Sequence, residues 1–548
     1  MDFQKRYLFG VVFIFLIGVF LRFYNLDWGA PYFFHPDERN VASSISQLSF
    51  PNQMNPHFFA YGSLPIYCVF LTGIFINFLQ STIQKTPFLN QVNFEQAIMI
   101  SRFYSAVLSV LLIPLLYVIG KKLFDIRSGI LASLLGVFNV GLIQFAHFGT
   151  FEMWLTFFTL LLFWVCIRFG KDEIIRLLIF SSIISGVLVA IKVSSIVLVV
   201  LPLISISYIV FIKNSRLAIS ARSILLFLSL MLSFLVLIGT IYFLTNSYVL
   251  IDFSSFKNSI DYESKVGLGM LPVFYTGEFV KTIPIIFQLK HVLPFLLNPI
   301  IAICFVPLLI FFSLFATKKR NFGLIILLAF FLITFLSQAF LYVKWIRYIV
   351  PSIPFVILIV SISLVELLKK HNVLKSGLYV IIISLAAIFS ISFFITTYIE
   401  KDTRIQAVDF AKQIIPSNKM LLSEVYDLGI IPFNETYPNI SLFNFYDLDS
   451  DSEEYNLATL SQALESSDYI ILPSQRIFKV RLTKSKYFSN SSKFYKDLFR
   501  EELGFKKVYE TPCSFFCNVA YQGNPIYAYE QTSNVFDRPV VIIFEKVR

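Results

Sequence analysis

Phe33-Phe34-His35-Pro36-Asp37-Glu38-Arg39 follows the first apolar run of the chain, Tyr7 to Tyr24, almost at once. Two adjacent carboxylates and a histidine beside a run of that kind need a reason, because charge next to a membrane span is costly unless it is used. Neighbouring residues diverge on a helix or a strand. Asp37 and Glu38 therefore do not form a facing acid/base pair of the glycosidase kind. One can face a substrate while the other orients it or pairs with a cation. The plainer alternative is a solvated loop in which Asp37 caps the segment 40–50.

Working outward, the whole chain is apolar. Its 548 residues are 57% hydrophobic, 17% aromatic and only 14% charged, where a soluble domain carries about 25% charged residues. The mean hydropathy is +0.73. This is the composition of a polytopic membrane protein, and its 63 Phe suit helices that face lipid. The net charge of +11 is explained first by Lys and Arg in cytoplasmic loops and only second by an anionic ligand. No basic, aromatic-interleaved patch points to nucleic acid. Cys68, Cys166 and Cys304 lie in apolar runs and read as small core residues. Cys513 and Cys517 could pair in an oxidising compartment, although that spacing also occurs between unpaired thiols. No zinc pattern appears. The first run has a basic start, Lys5-Arg6, but no small-residue cleavage site follows it, so it reads as a retained helix.

Spans of about 20 residues are expected over 7–24, 99–119, 129–148, 152–168, 176–191, 194–212, 223–244, 294–315, 322–341, 346–367 and 376–398. With these crossings, six basic clusters fall on one side: Lys5-Arg6, Lys121-Lys122 with Arg127, Arg168 with Lys171 and Arg176, Lys213 with Arg216 and Arg222, Lys318-Lys319-Arg320, and Lys369-Lys370 with Lys375. That places the N-terminus in the cytoplasm. A crossing at 66–79 would reverse every later cluster, so that run is expected to lie on or dip into the outer face. The expected architecture is mainly α. A membrane bundle of about eleven spans occupies 1–399, with outer loops at 26–98 and 245–293. From 400 to 548 charge rises and apolar runs shorten to strand length. This part is expected to be a soluble α/β domain outside the membrane, with strands near 469–472 and 540–544 and helices near 404–415 and 492–503.

The first helix ends in Leu21-Arg22-Phe23-Tyr24-Asn25-Leu26-Asp27-Trp28, and His35-Pro36-Asp37-Glu38 follows. This resembles the start of the GT-C superfamily of membrane glycosyltransferases. It is most similar to the polyprenyl-phosphate-sugar branch, which holds the protein O-mannosyltransferases and the aminoarabinose transferase and carries an Asp-Glu pair in its first outer loop. Tyr61-Gly62-Ser63-Leu64-Pro65, Ser101-Arg102-Phe103-Tyr104-Ser105, Lys192, Lys344-Trp345-Ile346-Arg347-Tyr348 and Asp402-Thr403-Arg404 resemble further parts of that branch. At the turn between the third and fourth spans the sequence is Gly149-Thr150-Phe151-Glu152. It lacks the second Asp-x-Asp of the metal-dependent oligosaccharyltransferases, so no cofactor is expected and a divalent metal is not favoured.

The resemblance implies transfer of one sugar, mannose or another hexose or pentose, from a polyprenyl phosphate with inversion at the anomeric carbon. An acceptor hydroxyl must lose its proton, and a carboxylate can take it. Asp37 is the expected base, and Glu38 is placed with it. The lipid phosphate that leaves needs cations, for which Arg102, Lys192, Lys344 and Arg347 lie near outer helix ends, with Tyr348 and Glu152 beside them and His35 next to the pair. Each also has a plain alternative: Arg102 snorkelling, Lys344 and Arg347 anchoring at the interface, Lys192 in a turn, Glu152 pairing with one of these cations. The expected partners are the lipid-linked donor, the bilayer and an acceptor that is a glycan, a lipid or a protein. The expected site is the cell (plasma or inner) membrane. The competing class is a transporter or lipid-handling protein, but transporters usually show related halves, and no internal repeat is visible here.

Overall fold

The computed structural model describes residues 3–212, 220–370, 372–450 and 453–547. Lys213 and Arg216 of the fourth basic cluster lie outside them. The chain divides into two compact units. The first comprises Met1–Leu26, Asp37–Leu268 and Leu296–Ile388; the second comprises Asp27–Pro36, Gly269–Phe295 and Phe389–Arg548.

The first unit is a polytopic membrane helical bundle. It begins with α1 (Phe3–Phe23), α2 (Pro36–Ser46), α3 (Ser63–Gln84), α4 (Phe94–Leu123), α5 (Ile126–Val137), α6 (Val140–Gln144), α7 (Glu152–Arg168) and α8 (Ile174–Ile191). Among the described residues nine helices are long and apolar enough to cross a membrane, and Val12–Phe23 and Ile126–Val137 are shorter apolar helices. The run 66–79, expected along the outer face, lies inside α3, whose 22 residues meet that length and composition.

The span expected over 129–148 is not one helix. It stops at Val137 and restarts as the short α6. The cause is Arg22, wholly buried at the end of α1. Its guanidinium donates to the carbonyls of Gly136 at 2.7 Å and Val137 at 3.3 Å, to Gly18 O at 3.1 Å and to Ser109 Oγ at 2.8 Å. Carbonyls at a helix end need such partners. Asn139 then opens α6, its side chain accepting from the Leu142 N–H at 3.0 Å and donating to Leu296 O at 2.8 Å.

The second unit is α/β. Strands β1 (Leu421–Glu424), β2 (Ile440–Phe443), β3 (Tyr469–Leu472), β4 (Phe505–Glu510) and β5 (Ile542–Lys546) form one sheet in the order β2-β1-β3-β5-β4. β1 runs parallel to β2 and β3, with Leu421 opposite Ile440 and Tyr469; β5 is antiparallel to β3 and β4. β1 and β3 are buried at every position, as parallel strands covered on both faces must be. Leu421, Ile471 and Ile543 point to one side, against Ala407, Val408 and Ala411 of the helix Thr403–Ile414. Leu422, Ile470 and Phe544 point to the other, against Phe494, Tyr495 and Leu498 of the helix Ser489–Phe499. Cys513 and Cys517 form a disulfide, Cα atoms 5.2 Å apart.

Candidate functional site

The Asp37–Glu38 pair opens α2, and the two side chains part as adjacent positions on a helix must. Glu38 turns into the bundle. Its Oε1 and Oε2 accept from Arg102 Nε at 3.1 Å and Nη2 at 2.7 Å, the two-pronged geometry that suits arginine to a carboxylate. Arg102 also donates to Leu26 O at 2.7 Å, and the Gly149 N–H donates to Glu38 Oε1 at 2.5 Å. One buried pair thereby ties the ends of α1 and α2 to α4 and to the turn that starts α7.

Asp37 turns the other way and pairs with Arg347 Nη1. The Asp37 side chain is 24% exposed and that of Arg347 23%, so both remain reachable. The Arg347 guanidinium lies 4.6 Å from the Trp345 ring and 5.6 Å from that of Tyr348. Lys192 ends α8 in an extended conformation (φ −154°, ψ 120°) and places its ammonium 4.6 Å from the Tyr348 ring and 5.7 Å from that of Tyr61. Tyr61 is held there by the next residue: the Gly62 N–H donates to Ile191 O at 2.8 Å. A side chain at Gly62 would come within 1.9 Å of the Ala190 carbonyl. Burial pushes the Tyr61 phenol well above its ordinary range, which keeps it a neutral donor.

Glu152, 3% exposed, starts α7. Glu152, Thr159, Lys192, Ser195, Arg347 and Tyr348 line a cavity of about 50 Å³. Glu152 Oε2, Thr159 Oγ1 and Arg347 Nε are buried there without a hydrogen-bond partner among the described residues. Buried polar atoms of that kind are costly and call for a partner. Glu263, on the helix Phe253–Leu268, completes the cluster. It remains exposed and lies within electrostatic reach of Arg347, Lys192 and Asp37.

The other expected residues go elsewhere. His35 belongs to the second unit, where its ring lies 4.3 Å from that of Phe536. The Lys344 ammonium is turned back onto its own chain, donating to Tyr342 O at 2.9 Å. Glu263 was not anticipated, because Asp261-Tyr262-Glu263-Ser264-Lys265 reads as a solvated helix face. No three His, Cys, Asp or Glu side chains converge among the described residues. Asp37 and Glu38 are both met by arginine.

Neither the protein-family models nor the curated proteins match the chain. Solved structures do. The oligosaccharyltransferase of Archaeoglobus fulgidus in complex with zinc and sulfate is similar over 98% of this chain and 88% of its own, at 11% identity and a TM-score of 0.51. The archaeal oligosaccharyltransferase AglB from Archaeoglobus fulgidus, in complex with an inhibitory peptide and a dolichol-phosphate, is similar over 100% of this chain and 89% of its own, at 12% identity and a TM-score of 0.50. ArnT from Cupriavidus metallidurans aligns over 88% and 95%, at 11% identity and a TM-score of 0.46. At such identities the likeness to the archaeal oligosaccharyltransferase speaks for the fold alone: a polytopic helical bundle with a C-terminal α/β unit.

Proposed function

We propose that the chain is a membrane glycosyltransferase that moves a single sugar, mannose or a similar hexose or pentose, from a polyprenyl-phosphate donor to an acceptor glycan, lipid or protein. The observation that carries this is the pairing of Asp37 with Arg347 beside Lys192 and the polar cavity. Anionic lipid phosphate needs cations, and a nucleophilic hydroxyl needs a base; both kinds of group meet here. The dolichol-phosphate bound by the similarly folded archaeal enzyme supports a lipid phosphate as the leaving group.

In this reading the acceptor oxygen attacks the anomeric carbon as the bond from that carbon to the phosphate oxygen breaks. Asp37 takes the acceptor proton. Lys192 and Arg347 stabilise the negative charge that gathers on the phosphate. Arg347 serves two anions: with the donor bound it turns to the phosphate, and the carboxylate it leaves becomes free to act as a base. A single displacement inverts the anomeric centre. Glu38 and Arg102 position α2 rather than touch substrate. With α3 lying along the outer face rather than crossing, the basic clusters support a cytoplasmic N-terminus and a C-terminal domain outside the cell membrane.

The test is sugar transfer in membranes, with a panel of radiolabelled polyprenyl-phosphate sugars offered to the wild type and to Asp37→Asn. Loss of transfer in a folded Asp37→Asn supports the base and identifies the donor. Unchanged transfer removes Asp37 from the mechanism. A wild type that turns over no donor shifts the weight to a lipid-handling role.

A further inference from the structure

The second unit carries a ledge that no part of the transfer chemistry uses. In the order β2-β1-β3 the connection from β1 runs to β2 on one side, and the connection from β2 returns to β3 on the other side of β1. Crevices at the carboxyl ends of strands flanking such a reversal are where open α/β sheets bind ligands. Here the carboxyl ends of β1 and β3 lead into Tyr426-Asp427 and Ser474-Gln475-Arg476.

Tyr426 is 53% exposed, yet it is not loose. Its ring stacks on that of Phe274 at 4.8 Å and 18°, and Phe274 in turn lies 4.7 Å from the Tyr446 ring. The turn beneath is pinned by Glu424, wholly buried, which accepts from the N–H groups of Tyr426 at 3.1 Å and Phe445 at 2.9 Å. An aromatic ring held on its inner side and wet on its outer side is a preformed stacking surface.

Polar groups edge it. Asp427 is oriented by the Gly429 N–H at 2.9 Å and the Ser474 hydroxyl at 2.5 Å. The Arg476 guanidinium lies 5.8 Å from the Phe274 ring, and no hydrogen bond or ion pair engages it among the described residues. Arg481, 3% exposed, sits 5.2 Å from the Tyr446 ring and donates to Tyr446 O at 3.3 Å. Its Nε has no partner among the described residues, a condition that buried polar groups rarely keep unless something meets them.

The chemistry selects the ligand. Arg476 is offset by Asp427, and the buried Arg481 by Asp449 with a contribution from Glu424, so the ledge is not an anion trap. A flat aromatic face beside one guanidinium and one carboxylate suits a ring with an apolar face and equatorial hydroxyls, which both donate and accept. We propose that Tyr426, Asp427 and Arg476 form a carbohydrate-binding site that takes one pyranose ring of an uncharged glycan. The ring's apolar face stacks on Tyr426, and neighbouring hydroxyls pair with Arg476 and Asp427. This does not depend on the transferase reading.

The test is direct binding by the full chain in lipid nanodiscs, read by saturation-transfer NMR against neutral disaccharides of glucose, mannose, galactose and N-acetylglucosamine. At least one disaccharide binds the wild type. Tyr426→Ala and Arg476→Gln each weaken that binding about tenfold or more, and Tyr426→Trp retains it. A thermal melt of each variant separates lost binding from lost fold. Because no donor lipid is present, a silent transfer assay has no bearing on the result. The site is overturned if no disaccharide binds at about 10 mM, if binding survives both substitutions, or if inorganic phosphate displaces the sugar.

Discussion

Glu38 and Arg102, 64 positions apart, are joined by two hydrogen bonds, and their side chains are 1% and 0% exposed. Removing one partner of such a pair strands the other charge, at a cost of about 3–5 kcal/mol. Arg102→Met is therefore expected to melt far below the wild type in detergent. The double variant Glu38→Leu/Arg102→Met leaves no charge unpaired, though the Gly149 N–H and Leu26 O lose their partners, and is expected to recover part of the loss. Equal melting of the single and double variants would contradict this account.

Asp37 and Arg347 are predicted to separate kinetically. A lost general base costs about 10²–10⁴-fold in turnover, so Asp37→Asn should lower kcat with KM for the donor little changed. Arg347→Lys keeps the charge but loses the fork, and should raise the donor KM more than it lowers kcat. Steady-state kinetics with one defined donor measures both. Identical effects of the two substitutions would rule out the division of roles.

Gly62→Ala is a steric prediction. The added methyl meets the backbone carbonyl of Ala190, which no rotamer change relieves. The variant should either lose stability or release Tyr61 from Lys192, with transfer falling although no charged group has changed. A variant with wild-type melting and wild-type transfer would show that the loop has room.

In the second unit, Glu530 is wholly buried. Its carboxyl is raised from 4.5 to about 8 by burial, with Glu278 adding to the shift and Lys479 opposing it. A folded value above the unfolded one means that the folded state holds the proton more tightly. The contribution to stability is complete below about 4.5 and is lost as pH rises through about 8. Melting of the full chain should fall between mildly acidic and mildly alkaline buffer. Glu530→Gln, neutral throughout, should flatten that slope. A slope unchanged by the substitution would place its origin elsewhere.

Much of this molecule is legible from local chemistry. The bundle follows from composition and run length, and the α/β unit from the short strands 469–472 and 540–544, the second of which sits two residues later as Ile542–Lys546. Asp37, Lys192, Arg347 and Tyr348 stand out because they are polar groups at apolar helix ends, and the structure places them together. What was not legible depends on pairing at a distance. Nothing in 129–148 reveals that Arg22 ends α5 at Val137. Nothing around 261–265 marks Glu263 as different from its solvated neighbours. The letters of His35 do not show that it belongs to the second unit, two residues before the first resumes at Asp37.

Arg22 also imposes an order on synthesis. It leaves the ribosome in the first helix, but the carbonyls of Gly136 and Val137 that answer it come 114 and 115 residues later. At about 5–20 residues per second, the first helix waits on the order of ten seconds with only Gly18 O of its own helix to answer that charge. During this interval the guanidinium must reach for the headgroups or for the insertion machinery, because hydrocarbon offers it nothing. The first helix thus enters the membrane well before α5 exists, and the contacts that hold Arg22 to Gly136 and Val137 form only when α5 arrives.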